Sequence, residues 1–185
     1  MKIILLRHGK PKTPPIFNMT ALEFSKWVEQ YDLSGLCPSS QPETNTVFVA
    51  NSCNAVVCSE LPRSIESSSV LGIKTITLTS RKFNEAGLPI TEYGHLKLSP
   101  RIWVIILRVL WLLGYTKKSE SYKDAKIRAT ESVKTLTALA KTHSSVLFVG
   151  HGVYNRLLAK ELISLGWVGP KSPGSKHWSF GVYKK

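Results

Sequence analysis

The sequence predicts a three-layer α/β/α sandwich built on a mainly parallel central sheet. Three observations carry this. Short unbroken apolar runs, Ile3-Ile4-Leu5-Leu6, Ala55-Val56-Val57-Cys58 and Val146-Leu147-Phe148-Val149, read as strands covered on both faces, as parallel sheets require. Segments with helical periodicity separate them, long enough for crossover connections. Chemically capable residues come directly after the strands, and sheets of this kind bind ligands at strand carboxyl ends.

Lys2 to Leu6 is the first strand, and Lys10 to Pro15 a proline-rich loop. Thr20, with Glu23 three residues on, forms a capping box that starts a helix running to about Asp32. Leu36 to Pro42 is loop, and Pro42 to Ala50 a short helix entered through proline. The strand at Ala55–Cys58 leads through Ser59 to a helix over Leu61 to Leu71, stopped by Gly72. Lys74 to Leu78 alternates and is rich in β-branched residues, the pattern of a third strand. Arg81 to Pro89 is loop. Arg101 to Leu113 is an apolar helix ended by Gly114. Ser121 to Thr142 is the longest helix, with Tyr122, Ala125, Ala129, Val133, Leu136 and Ala140 on one face. Ser145 to Val149 is the fourth strand, Val153 to Leu165 a helix closed by Gly166, and Trp178 to Tyr183 a last, alternating strand at a sheet edge.

Composition narrows the class. A chain of 185 residues suits one domain and buries a core without staples. Cys37, Cys53 and Cys58 are odd in number and have no metal-ligand spacing, so reduced thiols are expected, with no metal and no cofactor. Only four apolar residues separate Lys2 from Arg7, whereas a secretory h-region needs roughly 7–15. A cytoplasmic location is the expectation. The net charge of +13 favours anionic partners. The basic residues are scattered, apart from Lys117-Lys118 and Lys184-Lys185, and no nucleic-acid motif accompanies them. Nucleic acid is therefore not the expected partner; the charge leaves small phosphorylated metabolites, an acidic membrane surface or simply a solubilising basic surface.

The chemistry gathers at strand ends. Arg7-His8-Gly9 comes after the first strand, Ser59 to Arg63 after the second, Glu85 after the third, and Gly150-His151-Gly152 ends the fourth. An Arg beside a His makes an anion site with a nucleophile in it, since neutral imidazole attacks phosphorus near neutral pH. Gly9 allows close approach of backbone to a ligand. Two rival chemistries are weaker. Cys58 and Arg63 stand too close for the loop of a tyrosine phosphatase, and no GxSxG elbow is present.

Four motifs in order, Leu6-Arg7-His8-Gly9, Cys58-Ser59-Glu60-Leu61-Pro62-Arg63-Ser64, Phe83-Asn84-Glu85-Ala86-Gly87-Leu88-Pro89 and Val149-Gly150-His151-Gly152, resemble the histidine phosphatase superfamily, the phosphoglycerate mutase-like enzymes. The resemblance spans nearly the whole chain. It implies a single domain over residues 1–185 with the phosphoglycerate mutase-like fold, and a cap-like apolar helical insertion around 90–118. It implies a metal-independent phosphatase, with phosphomonoester hydrolysis through a phosphohistidine on His8. Arg7 and Arg63 would hold the phosphate with Gly9, His151 would donate to a phosphate oxygen, and Glu85 would be the proton donor, with Glu92 the weaker alternative for that role. Lys10 and Asn18 are further candidates near the phosphate. Mutase-type phosphoryl transfer and a non-catalytic anion-binding module are the alternatives. After Gly9 the chain reads Lys10-Pro11-Lys12, where the mutase branch has Glu, then Trp and Asn. The apolar helix Ile102–Leu113 is too short to span a bilayer, which takes about 20 residues. It is read as buried core, as a cap suited to a hydrophobic ester, or as a peripheral membrane contact.

Overall fold

Five strands, β1 (Lys2–Arg7), β2 (Ala55–Cys58), β3 (Leu78–Thr79), β4 (Ser145–Gly150) and β5 (Phe180–Lys184), form one sheet in the order β3-β2-β4-β1-β5. β1, β2, β3 and β4 pair in parallel and β5 is an antiparallel edge strand. The helices are α1 (Ala21–Asp32), α2 (Thr44–Asn51), α3 (Pro62–Val70), α4 (Pro100–Leu112), α5 (Tyr122–His143) and α6 (Gly152–Ser164). This architecture comes from a computed structural model that describes residues 1–91 and 94–185.

The period of two in a strand divides the sheet residues between two cores. Ile3, Leu5, Val57, Val146 and Phe148 point to one side, where Ala125, Ala129, Val133 and Leu136 of α5 and Leu158 and Leu162 of α6 cover them. Ile4, Leu6, Val56, Cys58, Leu147 and Val149 point to the other, against Ala50, Leu71 and Trp178. The alanines of α5 let its axis lie close to the sheet, and its predicted face is the buried one. Burial also pushes the Cys58 thiol up to about 11, so it behaves as a small core residue.

A third, separate cluster joins α1 to α4. Met19, Ala21 and Phe24 meet Trp103 and Leu107, and the Trp103 indole N–H donates to the Met19 carbonyl at 2.7 Å. The capping box of α1 is present as the sequence predicts. Trp111, further along α4, reaches the main core instead. α4 therefore leans on both units.

One element departs from its predicted extent. The strand expected over Lys74–Leu78 pairs only at Leu78–Thr79. β3 is an edge strand, and backbone bonds from Thr77 N–H to Val56 O, at 2.8 Å, and from Ser80 N–H to Cys58 O, at 3.3 Å, extend its contact with β2. The β-branched pattern gives an extended chain, but a ladder also needs a partner of matching length, and β2 has four residues.

Candidate active site

Register brings the two motif histidines together. β1 and β4 run in parallel with Leu6 opposite Val149 and Arg7 opposite Gly150. The residue after each strand is therefore a histidine facing its counterpart, and the two rings lie with centroids 5.0 Å apart. Both are buried. His8 Nδ1 lies 2.7 Å from the Gly9 carbonyl oxygen. A carbonyl only accepts, so Nδ1 carries the proton and Nε2 keeps its lone pair. Burial, and then the nearby Arg63 charge, holds the His8 pKa well below the usual imidazole value. Burial, then His8, does the same for His151. Both rings are neutral at physiological pH.

The tight turn after β1 depends on space rather than on an unusual backbone angle. A Cβ on Gly9 would lie 2.3 Å from the Trp178 ring. Trp178 itself adopts φ 64°, uncommon for a bulky residue, and its indole N–H donates to Ser40 Oγ at 3.0 Å. Gly9 N–H donates to Ser67 Oγ at 2.9 Å, and Ser64 Oγ–H to the Val149 carbonyl at 2.5 Å. The buried serines of α3 thus fasten the ends of β1 and β4.

Arg63 stands one residue after Pro62, which opens α3. It is 2% exposed, paired with Asp32 at 2.9 Å, and its guanidinium sits 4.8 Å from the Tyr31 ring centroid. Arg7 donates from Nη1 to the Ser175 carbonyl and lies against Gly152 at the start of α6, where an added Cβ would be 3.4 Å from the guanidinium carbon. His151 Nε2 is 2.7 Å from Ser59 Oγ. Among the described residues, six buried side-chain polar atoms lack a hydrogen-bond partner, and three of these are Arg7 Nε, Arg63 Nε and His151 Nδ1. Half of the unmet polar atoms therefore belong to the three residues flanking His8. Buried orphan donors are rare because each costs about 1–3 kcal/mol.

Glu85 is held firmly. Its carboxylate accepts from Val153 N–H at 3.1 Å, Tyr154 N–H at 2.8 Å and Ala86 N–H at 3.0 Å. It thus occupies the N-terminus of α6, where the dipole favours an anion. Two arginines clamp the backbone on either side of it. Arg128 of α5 donates to the Lys82 and Asn84 carbonyls, and Arg108 of α4 donates to those of Ala86 and Gly87.

A cavity of about 640 Å3 opens beside these groups. Arg7, Arg63 and Glu85 line it; His8 and His151 do not. Its walls are mainly apolar, from Ile16, Trp27, Val28, Leu88 and Val104. Arg101 and Arg156, both exposed, also line it. Lys10 and Asn18 are exposed and outside the lining; the Lys10 backbone N–H is bound to Ser40 Oγ at 2.7 Å. Glu92 lies outside the described residues. Among the described residues no cluster of ligands suits a metal ion.

Sequence reasoning did not single out His177, Asp32, Tyr31 or the clamp role of Arg108. The His177 ring lies 5.4 Å from that of His8, and its Nδ1 is 3.2 Å from the His8 carbonyl oxygen. No local spacing links these residues to the motifs, because long-range packing alone brings them in.

No family model matches the sequence, and no curated protein matches it. Solved structures do share the fold. The chain is similar to a mycobacterial glucosyl-3-phosphoglycerate phosphatase, at 19% identity and a TM-score of 0.61, over 98% of this chain and 88% of that one. It is similar to a phosphoglycerate mutase from Bacillus anthracis, at 18% identity and a TM-score of 0.63, over 99% of this chain and 88% of that one. The fold is thus that of the histidine phosphatases and phosphoglycerate mutases, a mixed α/β sandwich on a mostly parallel five-stranded sheet.

Proposed function

We propose that the protein is a metal-independent phosphomonoesterase working through a phosphohistidine on His8. The observation that carries this reading is the set of three orphan donors, Arg7 Nε, Arg63 Nε and His151 Nδ1, around an imidazole whose Nδ1 is fixed as the donor. A phosphoryl group has three oxygens to satisfy such donors, and charge-assisted bonds from guanidinium are strong. The presence of this fold in both phosphatases and mutases supports phosphoryl chemistry. The departure at Lys10-Pro11-Lys12 from the mutase pattern favours hydrolysis over mutase transfer.

In the first step His8 Nε2 attacks phosphorus and the ester P–O bond breaks. The leaving alkoxide takes a proton from the Glu85 carboxyl. In the second step water attacks the phosphohistidine and gives its proton to the Glu85 carboxylate. The N–P bond breaks, and inorganic phosphate and neutral His8 are released. His151 Nδ1–H and the two arginines stabilise the equatorial oxygens throughout. Ser59 Oγ accepts from Leu61 N–H at 3.3 Å, and its own proton suits His151 Nε2, which leaves Nδ1 as the N–H. The carboxylate contacts at α6 give Glu85 its position, and its catalytic turn requires an oxygen released from that cap.

The test is turnover of a panel of phosphate esters with chelator present, by wild type and His8→Ala. Activity that survives the substitution or requires added metal overturns the mechanism. A second reading, an anion-binding module without turnover, draws on the 3% exposure of His8 and on Glu85 serving as a helix cap. Trapping of label on His8 from a radioactive phosphate ester separates the two.

A further inference from the structure

Helix α4 presents three faces to three surroundings. Pro100, Trp103, Leu107 and Trp111 are buried against the protein. Pro100, Arg101, Val104 and Arg108 line the cavity. The remaining side is apolar and open: Ile102, Ile105, Val109, Leu112 and Leu113 are 45%, 57%, 50%, 55% and 78% exposed. Their spacing of three and four residues places them on one side of the helix. An apolar side of this extent marks an interaction surface.

Charge selects what covers it. From Gly94 to Ser119 the chain carries no Asp or Glu; Lys97, Arg101, Lys117 and Lys118 supply positive charge around α4, whereas Arg108 is turned to the Ala86 and Gly87 carbonyls. A second copy docking through the same face would bring one positively charged patch against another, because a two-fold contact pairs a surface with itself. An anionic lipid surface meets both properties, apolar side chains entering the acyl boundary and cations meeting headgroups. No described helix is long and apolar enough to cross a membrane, so α4 would lie in the interface.

We propose that α4 seats the protein on an anionic membrane and delivers to the cavity an amphiphilic phosphomonoester, a phosphate headgroup on a long apolar chain. The substrate half of this rests on the phosphatase reading above. The cavity has the matching polarity. Arg7 and Arg63 face the phosphate end, and Trp27, Val28, Leu88 and Val104 supply an apolar channel. Ile16, which is 70% exposed and lines the same cavity, stands where the chain would enter. Val104 and Ile105 are neighbours on α4, one turned to the cavity and the other outward.

The experiment compares wild type with the double variant Ile105→Glu/Val109→Glu, whose side chains touch neither the cavity nor the core. Co-sedimentation is measured with phosphatidylcholine vesicles and with mixed phosphatidylcholine–phosphatidylglycerol vesicles. Hydrolysis is measured on phosphatidic acid within the mixed vesicles and on water-soluble p-nitrophenyl phosphate. Wild type is expected to bind the mixed vesicles, less tightly as salt rises, and the variant about tenfold or more weakly. Phosphatidic acid turnover should fall in parallel, while p-nitrophenyl phosphate turnover and melting temperature stay unchanged. If the double variant misfolds, Leu113→Glu at the exposed helix end provides the same comparison. Absence of wild-type binding, or binding equal in wild type and variant, overturns the membrane seat. A dimer in light scattering that the variant dissociates places a second copy on this face and also overturns it. Phosphatidic acid turnover no faster than that of a short-chain analogue overturns the substrate assignment. A wild type inert toward p-nitrophenyl phosphate fails the phosphatase reading instead, and vesicle binding then stands or falls by itself.

Discussion

The floor of the site and its apolar wall are built on opposite principles. The floor is made at the carboxyl ends of β1, β2 and β4, where the strand residues are locked in a parallel ladder and all but Lys2 and Arg7 are buried. There the side chains are polar and mostly buried, and Arg7 Nε, Arg63 Nε and His151 Nδ1 lack hydrogen-bond partners. The wall is made by α1 and α4, joined through a separate small cluster. There the side chains are apolar, and many stay exposed. Rigid parts hold reacting groups to fractions of an ångström, as phosphoryl transfer demands. Peripheral helices on a small core can differ in sequence without disturbing that geometry. Under the proposed function, the reaction would belong to the floor and the choice of substrate to the wall.

The largest expected effect breaks the floor. His8→Ala should lower kcat on any phosphate ester by on the order of 10^4-fold or more, with the fold retained by circular dichroism. Next, Glu85→Gln tests whether that carboxyl is an acid or only a helix cap. A loss of about 10^2- to 10^4-fold in kcat is expected for alkyl phosphates, and much less for p-nitrophenyl phosphate, whose leaving group needs no proton. An equal loss for both esters, tracking a fall in melting temperature, would assign Glu85 to capping alone.

A stability pair sharpens the contrast itself. Phe148 is fully buried in β4 beside Phe83, and Phe148→Ala should cost about 3–5 kcal/mol in denaturant unfolding. Trp103→Ala removes a large ring from the α1–α4 cluster. It should loosen the wall, read as faster amide exchange in α1 and α4, with a smaller global loss. Equal global losses would show that wall and floor unfold as one unit.

The smallest effect concerns pH. Burial holds His8 and His151 neutral to well below the usual imidazole range. Below an unfolded-state pKa of about 6.5, the unfolded chain binds protons that the folded chain refuses. Stability is therefore full above that pH and falls as pH drops toward the folded pKa. Melting temperature should decline by several degrees between about pH 7 and about pH 5. His151→Gln should flatten that slope, and a slope unchanged by the substitution would mean that other groups cause it.

Much of the floor could be read from the chain. A strand buried on both faces must be apolar throughout, so β1, β2 and β4 announce themselves, and the residues just after them must gather at one end of the sheet. The capping boxes at Thr20 and Ser121 mark helix starts by local hydrogen bonding. The short span of β3 was less legible, since pairing depends on a neighbour's length. Lys10 and Asn18 come after the motif and the proline-rich loop in sequence, yet both are exposed and outside the cavity lining. The chain after Gly9 turns instead toward Leu36 and Ser40.

The amino-acid sequence by itself determined the layered fold and put His8, Arg63, Glu85 and His151 after strand ends, because burial periodicity and strand-end position are local properties of a chain; only the family resemblance gave those residues roles. Tertiary structure alone decided three things. The β1–β4 register set two histidines ring to ring. Asp32 and His177 came to the site from distant parts of the chain. And α4, apolar nearly all round in sequence, acquired a buried side, a cavity side and an open side. Such distinctions arise only from packing, since a helix carries its pattern but not the identity of what will cover it.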